Sequence, residues 1–339
     1  MFRSVNQKVV FGLFICVDLI LAAFGIASAA TWKPTRPVTI VCWAGAGGAT
    51  DLSNRAIAQA LQKEMGVPFQ VVNMLGGSGG VAANHVWNQK RDGYTILGVS
   101  ETVHGVAVLG VFDKPSSVWD LFMIMGSPGV ISVPASSPYK TFQDLIDAAK
   151  KKTIKAAASQ AGSVWSLKLI QVQEAAGVKF HRLPYEGSHP SQVAALSNEV
   201  DCVLTALAEQ REYILAKKLR PLAIIEREGA DLEGYGHIPS IADFYPDFKK
   251  LPIIMQWVGI ALPNDTPEDI KAAYHAAFDK AMKSKEVVDV AKNMGFKLFG
   301  LHGDKVKSLQ KQLDSVFSWT LYDAGFAQKS PEEFNIPRP

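Results

Sequence analysis

Residues 38–80 read VTIVCWAGAGGATDLSNRAIAQALQKEMGVPFQVVNMLGGSGG, and this stretch decides the fold. Val38–Trp43 is a short β-rich run. From Asp51 to Met65 the apolar positions take helical spacing, with Leu52, Ala56 and Ala60 beside Ile57 and Leu61 on one face. Phe69–Asn73 is again β-rich, and Ser78–Gln89 suits a helix. Asp92-Gly93 marks a turn before a third strand at Tyr94–Val99. Strands alternating with helices of this length give βαβ units and hence a parallel sheet.

Between each of the first two strands and its helix lies a glycine-rich loop, Gly45-Ala46-Gly47-Gly48-Ala49-Thr50-Asp51 and Gly76-Gly77-Ser78-Gly79-Gly80. A helix N-terminus presents unpaired N–H groups and the positive end of its dipole, which suits an anion. Glycine lets a ligand reach that main chain with no Cβ in the way. Neighbouring parallel strands would bring the two loops side by side. A nucleotide site fits poorly. Thr50 stands where G-x-G-x-x-G needs its third glycine, Asn73 ends the second strand where an acid is expected, and no P-loop motif occurs. Gly76-x-Ser78-x-Gly80 matches the nucleophile elbow of a serine hydrolase, with Asp201 and His237 available downstream. Against that reading, a single strand–helix unit precedes Ser78, and four glycines in five residues meet the pattern by composition. The plain alternative is that both loops are tight strand–helix turns; two so rich in glycine in succession favour a site.

The remainder continues the alternation. Strands are expected at Val130–Val133, Lys155–Ala158, Lys179–Leu183, Val200–Leu204, Leu222–Ile225, Trp257–Leu262 and Lys297–Leu301. Helices are expected from the Thr141/Asp144 capping signal to about Lys151, at Ser163–Ala176 ahead of Gly177, at Ser188–Leu196 and at Glu209–Ala216. Thr266-Pro267-Glu268-Asp269 starts helices reaching Met294 with a break near Ser284. A last helix spans about Asp304–Ala324 before a polar tail. Residues 226–250 read as polar and Gly/Pro-punctuated. The chain has 339 residues, 48% hydrophobic and 20% charged, which suits about two globular domains and excludes both disorder and a polytopic membrane protein. A net charge of +3 gives no footprint for nucleic acid.

Residues 1–29 read as a signal peptide: Arg3 and Lys8, an apolar run from Val9 to Ile26, then Ala27-Ser28-Ala29. They predict export with cleavage; an uncleaved membrane anchor is the weaker alternative, since the apolar run is barely long enough to span and ends in a cleavage motif. Cys42 and Cys202 then remain, each within an apolar run; buried free thiols are the default reading, with a disulfide open in an oxidising compartment. The seven histidines show no metal-ligand spacing, so no metal or cofactor is expected. Ser159–Trp165 and Pro184-Tyr185-Glu186-Gly187-Ser188 are further strand–helix loops, and Thr205 follows another strand.

An ordered set of motifs runs through the chain. Arg36-Pro37-Val38-Thr39-Ile40-Val41 precedes Gly-Gly-x-x-Asp at Gly47–Asp51. Val71-Val72-Asn73 leads into the second glycine loop, followed by Asp92-Gly93-Tyr94-Thr95. Pro184–Ser188, Asp201 and Trp257-Val258-Gly259-Ile260-Ala261-Leu262-Pro263 come later. Over about residues 35–325 this resembles the periplasmic substrate-binding proteins of tripartite tricarboxylate transporters, the Bug/TctC-like family. The resemblance implies an α/β protein of the two-lobed periplasmic type II class, the Venus flytrap, each lobe a mostly parallel sheet flanked by helices. Residues 30–128 and 254–339 would form one lobe and 129–253 the other, with crossings near 126–130 and 250–258. It also implies a monomer and no enzyme, binding a small carboxylate in the cleft and passing it to membrane permease subunits. A ligand-sensing module without transport is the further alternative.

The site implied by the resemblance takes Trp43, Ala46, Gly47, Gly48, Thr50 and Asp51 from the first loop. It adds Gly77, Ser78 and Gly79 from the second, with Ser100. Ser159, Ser163, Trp165, Tyr185 and Thr205 form the opposing wall. Asp51 is expected to order its loop rather than touch an anion. Gly45-Ala46 replaces the family's usual Pro-Pro, Asn73-Met74-Leu75 replaces Asn-Arg-Pro, and Trp43 and Trp165 are added aromatics. These departures point to a less polar cleft, taking a dicarboxylate or an aromatic carboxylate.

Overall fold

A computed structural model describes residues 32–159, 162–185, 187–251 and 254–339; the expected signal peptide lies outside them. The first sheet contains β1 (Val38–Cys42), β2 (Phe69–Asn73), β3 (Thr95–Ser100), β4 (Trp119–Gly126), β12 (Val258–Pro263) and β13 (Lys297–His302). The second contains β5 (Gly129–Pro134), β6 (Lys155–Ala157), β7 (His181–Leu183), β8 (Cys202–Ala206) and β9 (Leu219–Ile224). A separate hairpin pairs β10 (Ala230–Leu232) with β11 (Gly236–Ile238).

The two sheets repeat one plan. In the first, the order is β13-β4-β12-β3-β1-β2; in the second, β7-β6-β8-β5-β9. Each has a parallel trio, β2-β1-β3 and β7-β6-β8. Each trio is flanked by one antiparallel strand, β12 or β5, and beyond it lie β4 and β13 in the first sheet and β9 in the second. The sheets are therefore mixed, with the parallel strands confined to the part built from βαβ units. The chain passes from the first sheet to the second between Gly126 and Gly129 and returns before Val258.

The helices are α1 (Ala49–Met65), α2 (Gly80–Trp87), α3 (Phe142–Ala149), α4 (Val164–Ala176), α5 (Ser188–Leu196), α6 (Leu207–Leu215), α7 (Ile241–Phe244), α8 (Glu268–Ala281), α9 (Lys285–Met294) and α10 (Asp304–Asp323). Their ends follow local chemistry. Thr141 and Asp144 close a capping box, Ser284 caps α9, and Gly66, Gly177 and Gly295 end their helices in the left-handed conformation. The contact of α1 with its sheet is direct: Asn54 Nδ2 donates to the Gly259 carbonyl at 2.8 Å. A Cβ on Gly98 would fall 1.9 Å from Asn54 Oδ1, so glycine there permits this approach.

Strand β4 is not among the strands expected from the sequence, although it lies between β13 and β12 and is almost wholly buried. The 226–250 stretch, read as polar and irregular, holds the β10–β11 hairpin and α7. The tail is also structured. Trp319 Nε1 donates to the Ile336 carbonyl, and Arg338 pairs bidentately with Asp323 over the Trp319 ring. Among the described residues no helix is long and apolar enough to cross a membrane.

One core cluster joins residues of both sheets, among them Leu97 and Val99 with Ile131 and Val133. Separate clusters lie beneath α1 and α8, and around β8 and α6. The two parts also meet away from the strands: a Cβ on Gly162 would lie 3.3 Å from Leu321 and 3.5 Å from Leu109.

Candidate functional site

The parallel register aligns β1 and β2 so that Cys42 stands opposite Asn73, and Met74 N–H donates to the Cys42 carbonyl. Both glycine loops therefore leave the same edge of the sheet, side by side, with Gly45–Gly48 and Gly76–Ser78 exposed. Trp43 is the seat for the second loop. Its ring is buried at 7% exposure and lies so close to Gly79 that a Cβ there would fall 2.4 Å from Cε3.

Asp51 holds the loops together. Its carboxylate accepts from Gly47 N–H (2.9 Å), Arg55 Nε (2.9 Å) and Asn73 Nδ2 (2.8 Å), while the Asn73 amide also donates to the Ala44 carbonyl. Burial pushes this carboxyl upward, but the hydrogen bonds from Arg55, Gly47 and Asn73 outweigh it and hold Asp51 below the ordinary carboxylate range. Asn73, absent from the expected site, thus bridges the two loops.

This order also selects the donors. Gly47 N–H is taken by Asp51 and Gly48 N–H by the Gly45 carbonyl. Ala49 and Thr50, the first residues of α1, keep N–H groups that no preceding turn accepts. In the second loop Gly79 N–H returns to the Gly76 carbonyl. Gly76, Gly77, Ser78 and Gly79 all have positive φ, and Ser78 is the sole non-glycine among them, at φ 48° and ψ 35°. Ala46 sits at the exposed tip of the first loop.

The parallel strands of the second sheet end in the other expected residues. Ser159 is buried, and its N–H donates to Ser191 Oγ. Ser163 caps α4, with its hydroxyl donating to the Ala158 carbonyl. Trp165 is buried against Gly129, where the chain crosses between sheets. Tyr185 sends its hydroxyl to Glu199 at 2.8 Å. Thr205 is fully buried and accepts from both Gln192 and Gln210. Ser163 and Thr205 thus spend their hydroxyls on hydrogen bonds within the protein.

At the first sheet's edge, Ser100 shares a hydrogen bond with Thr102 and precedes a residue that sequence reasoning passed over, Glu101. Glu101 is only 6% exposed, and its Oε2 has no hydrogen-bond partner among the described residues. Burial pushes its carboxyl up to about 8; the Glu209 charge adds to the rise, and backbone N–H groups of Glu101 and Trp257 and the Ser100 hydroxyl oppose it. Glu209 lies in the first turn of α6, after β8, and accepts from Ala206 N–H at 3.3 Å. Burial raises its carboxyl too, against hydrogen bonds from Ser188 and Ala206.

The turn carrying Glu101 is fixed from behind. His104 Nε2 accepts from Trp257 Nε1 at 3.3 Å, which leaves Nδ1 to donate to Asp314 at 2.7 Å. Ser116 and Gln310 complete this buried network.

The serine-hydrolase constellation is not assembled. Asp201 accepts from Lys155 N–H, and His237 pairs with Asp231 on the hairpin. Cys42 and Cys202 are buried free thiols in different sheets. Burial pushes the Cys42 thiol up to about 11 and raises Cys202 further. Among the described residues no cluster of side chains fits a metal ion.

Comparison with known proteins agrees with this architecture. The UPF0065 protein in the gbd 5′ region of Cupriavidus necator is 32% identical over 271 residues, 77% of this chain and 79% of that one. The structure of periplasmic binding protein BugD superposes with a TM-score of 0.75 at 20% identity, covering 88% of this chain and all of that one. MatC from Rhodopseudomonas palustris, solved with bound malate, gives a TM-score of 0.72 at 22% identity, covering 85% and 99%. The fold is the two-lobed α/β fold of these binding proteins. Residues 53–315 match the tripartite tricarboxylate transporter family receptor, and the chain belongs to that family.

Proposed function

We propose that this chain is an exported, periplasmic solute-binding protein that captures a small carboxylate between its lobes and passes it to membrane permease subunits. Residues 30–128 and 254–339 form one lobe and 129–253 the other. The observation that carries the reading is the pair of glycine loops at adjacent parallel strand ends. Asp51 and Asn73 tie them into one rigid, exposed unit beside the N-terminus of α1. Such a unit can hold a carboxylate by main-chain N–H groups, with the helix dipole assisting. Charge-assisted hydrogen bonds of this kind are about twice as strong as neutral ones. The malate bound to a structural neighbour of this fold supports the ligand class.

Calorimetry with malate and its dimethyl ester tests the clamp. The acid should bind and the ester should bind at least tenfold more weakly; equal binding would refute it. Native mass spectrometry of the purified protein identifies the carboxylate that the chain carries. N-terminal sequencing of periplasmic protein should begin at Ala30 or Thr31.

A further inference from the structure

The parallel trio β7-β6-β8 runs toward the loops of Ser159, Tyr185 and Thr205, so its strands begin at the opposite pole of the second sheet. That pole gathers lysines. Lys155 opens β6, Lys179 precedes β7, and Lys217 and Lys218 precede β9, whose Leu219 pairs with Pro134 at the end of β5. Lys150–Lys152 follow α3 and lead into β6. All seven are exposed. Hydrogen bonds join these segments into one surface: Ala135 N–H donates to the Lys218 carbonyl at 3.0 Å, His181 N–H to the Ile154 carbonyl at 2.8 Å, and Ser136 Oγ to Asn198 Oδ1 at 2.8 Å. Lys152 Nζ lies 5.7 Å from the centre of the Tyr139 ring, and Arg220 fastens the same turn through the Ser137 and Tyr139 carbonyls.

The charge at this pole is largely unpaired. Among the described residues no carboxylate pairs with Lys151, Lys155, Lys179, Lys217 or Lys218; in this group Lys150 alone reaches one, Asp147 at 3.5 Å. The other acids of the pole are spent on different donors. Asp144 accepts from the Lys140 and Thr141 N–H groups, Asp201 from Lys155 N–H, and Glu199 from the Tyr185 hydroxyl. Helix dipoles account for lysines at the ends of α3 and α6 but not for the want of acids beside them. Around the first sheet, by contrast, surface cations have acidic partners: Arg36 with Asp92, Lys63 with Glu286, Arg91 with Asp265 and Lys280 with Glu64.

The chemistry of the surface selects its partner. It is a spread of separate ammonium groups on several loops, and among the described residues no large exposed apolar side chain belongs to those loops. A protein interface is built around buried aromatic or aliphatic anchors and is depleted in lysine. An anionic lipid surface needs neither anchor nor groove, and favours each lysine within a screening length by about fivefold. We propose that this pole is a docking surface for anionic phospholipid, which holds the chain on the membrane face while the loops at the other end of the sheet stay clear of the headgroups. The inference rests on the periplasmic reading above only for which membrane face is met.

Co-sedimentation of the mature chain with vesicles tests the surface. At low salt the protein should partition onto phosphatidylcholine vesicles containing about 30% phosphatidylglycerol and not onto phosphatidylcholine alone. It should be released at about 1 M salt, where the screening length is about 3 Å. The combined variant Lys151→Gln, Lys179→Gln, Lys217→Gln and Lys218→Gln should partition at least about tenfold more weakly, well within what about fivefold per lysine allows. A control with the same net charge, Lys283→Gln, Lys292→Gln, Lys297→Gln and Lys311→Gln, removes exposed lysines of β13 and its flanking helices and should keep the wild-type partition. Equal loss in the two variants, or equal partition onto neutral vesicles, overturns the docking surface. So does failure to bind anionic vesicles, and retention by polyglutamate in their place would reassign the pole to an acidic protein partner. Calorimetry with malate on the same proteins keeps the two readings apart. The four pole lysines lie away from the glycine loops, so their loss should leave malate affinity unchanged, and a chain that binds vesicles but no malate would refute the carboxylate clamp alone.

Discussion

Gly79→Ala is the most informative single substitution for the loop architecture. The backbone at this position has φ +96°, and a Cβ would lie 2.4 Å from Cε3 and 2.6 Å from Cδ2 of Trp43. A non-glycine residue in left-handed backbone costs about 1–2 kcal/mol. The Trp43 ring is buried and has little room to withdraw, and overpacking of this kind adds about 1–3 kcal/mol. The expected destabilisation is therefore about 2–5 kcal/mol. A double-mutant cycle separates the two causes. Trp43→Ala alone costs about 3–5 kcal/mol as a large buried aromatic. In that background Gly79→Ala should cost the backbone part only, so the two substitutions should couple by about 1–3 kcal/mol. Denaturant unfolding followed by far-ultraviolet circular dichroism reads all four proteins without relying on tryptophan. Additivity within about 0.5 kcal/mol, the tolerance for independent sites, would mean that Trp43 does not seat the second loop.

Ser78→Gly should stabilise the protein by about 1 kcal/mol in the same unfolding measurement, because it relieves a left-handed non-glycine residue at an exposed tip; loss of stability would contradict the observed turn. Asp51→Ala should cost about 2–3 kcal/mol, since a buried carboxylate loses hydrogen bonds from Gly47, Arg55 and Asn73. The Asp51 carboxyl is depressed in the folded state, so its contribution is full at neutral pH and is lost as pH falls below about 4; the alanine variant should show a flatter acid limb. Glu101 behaves oppositely. Its carboxyl is raised from 4.5 to about 8, so between those values the folded state holds a proton that the unfolded state releases, and stability falls as pH rises. Glu101→Gln should remove that slope, which unfolding midpoints at about pH 5, 6.5 and 8 will read. Cys42 and Cys202 should resist a thiol reagent in native protein at about pH 8 and react fully once unfolded; fast native labelling of Cys42 would contradict its buried, raised thiol.

What the sequence disclosed and what it concealed divide along a physical line. Local chemistry was legible. Residues 38–80 form strand, loop, helix, strand and loop with their expected bounds shifted by at most a few residues, because periodicity, capping and glycine act within one turn or strand. The adjacency of the two glycine loops followed from parallel pairing and is observed in the register of β1 and β2. Strand β4 escaped because its middle, Leu121–Met125, is an uninterrupted apolar run with no period to read; its place between two antiparallel partners is set by distant β12 and β13. The hairpin at 230–238 escaped for the converse reason, being short, polar and largely exposed. Asn73 could have been found, since an amide at a strand end between two glycine loops is placed to bridge them, and its hydrogen bonds to Ala44 and Asp51 do so. Glu101 and Glu209 could not. Each looks ordinary alone, one following a strand and one opening a helix, where an acid is favoured by the dipole. What marks Glu101 is burial with Oε2 unpartnered among the described residues, a condition that exists only once Trp257, far along the chain, has returned beside it. Caps, periodicity and turn glycines act within one element, whereas a side chain's burial and partners are set by segments far away in the chain, so the strands and helices are legible before the surroundings of any one acid are.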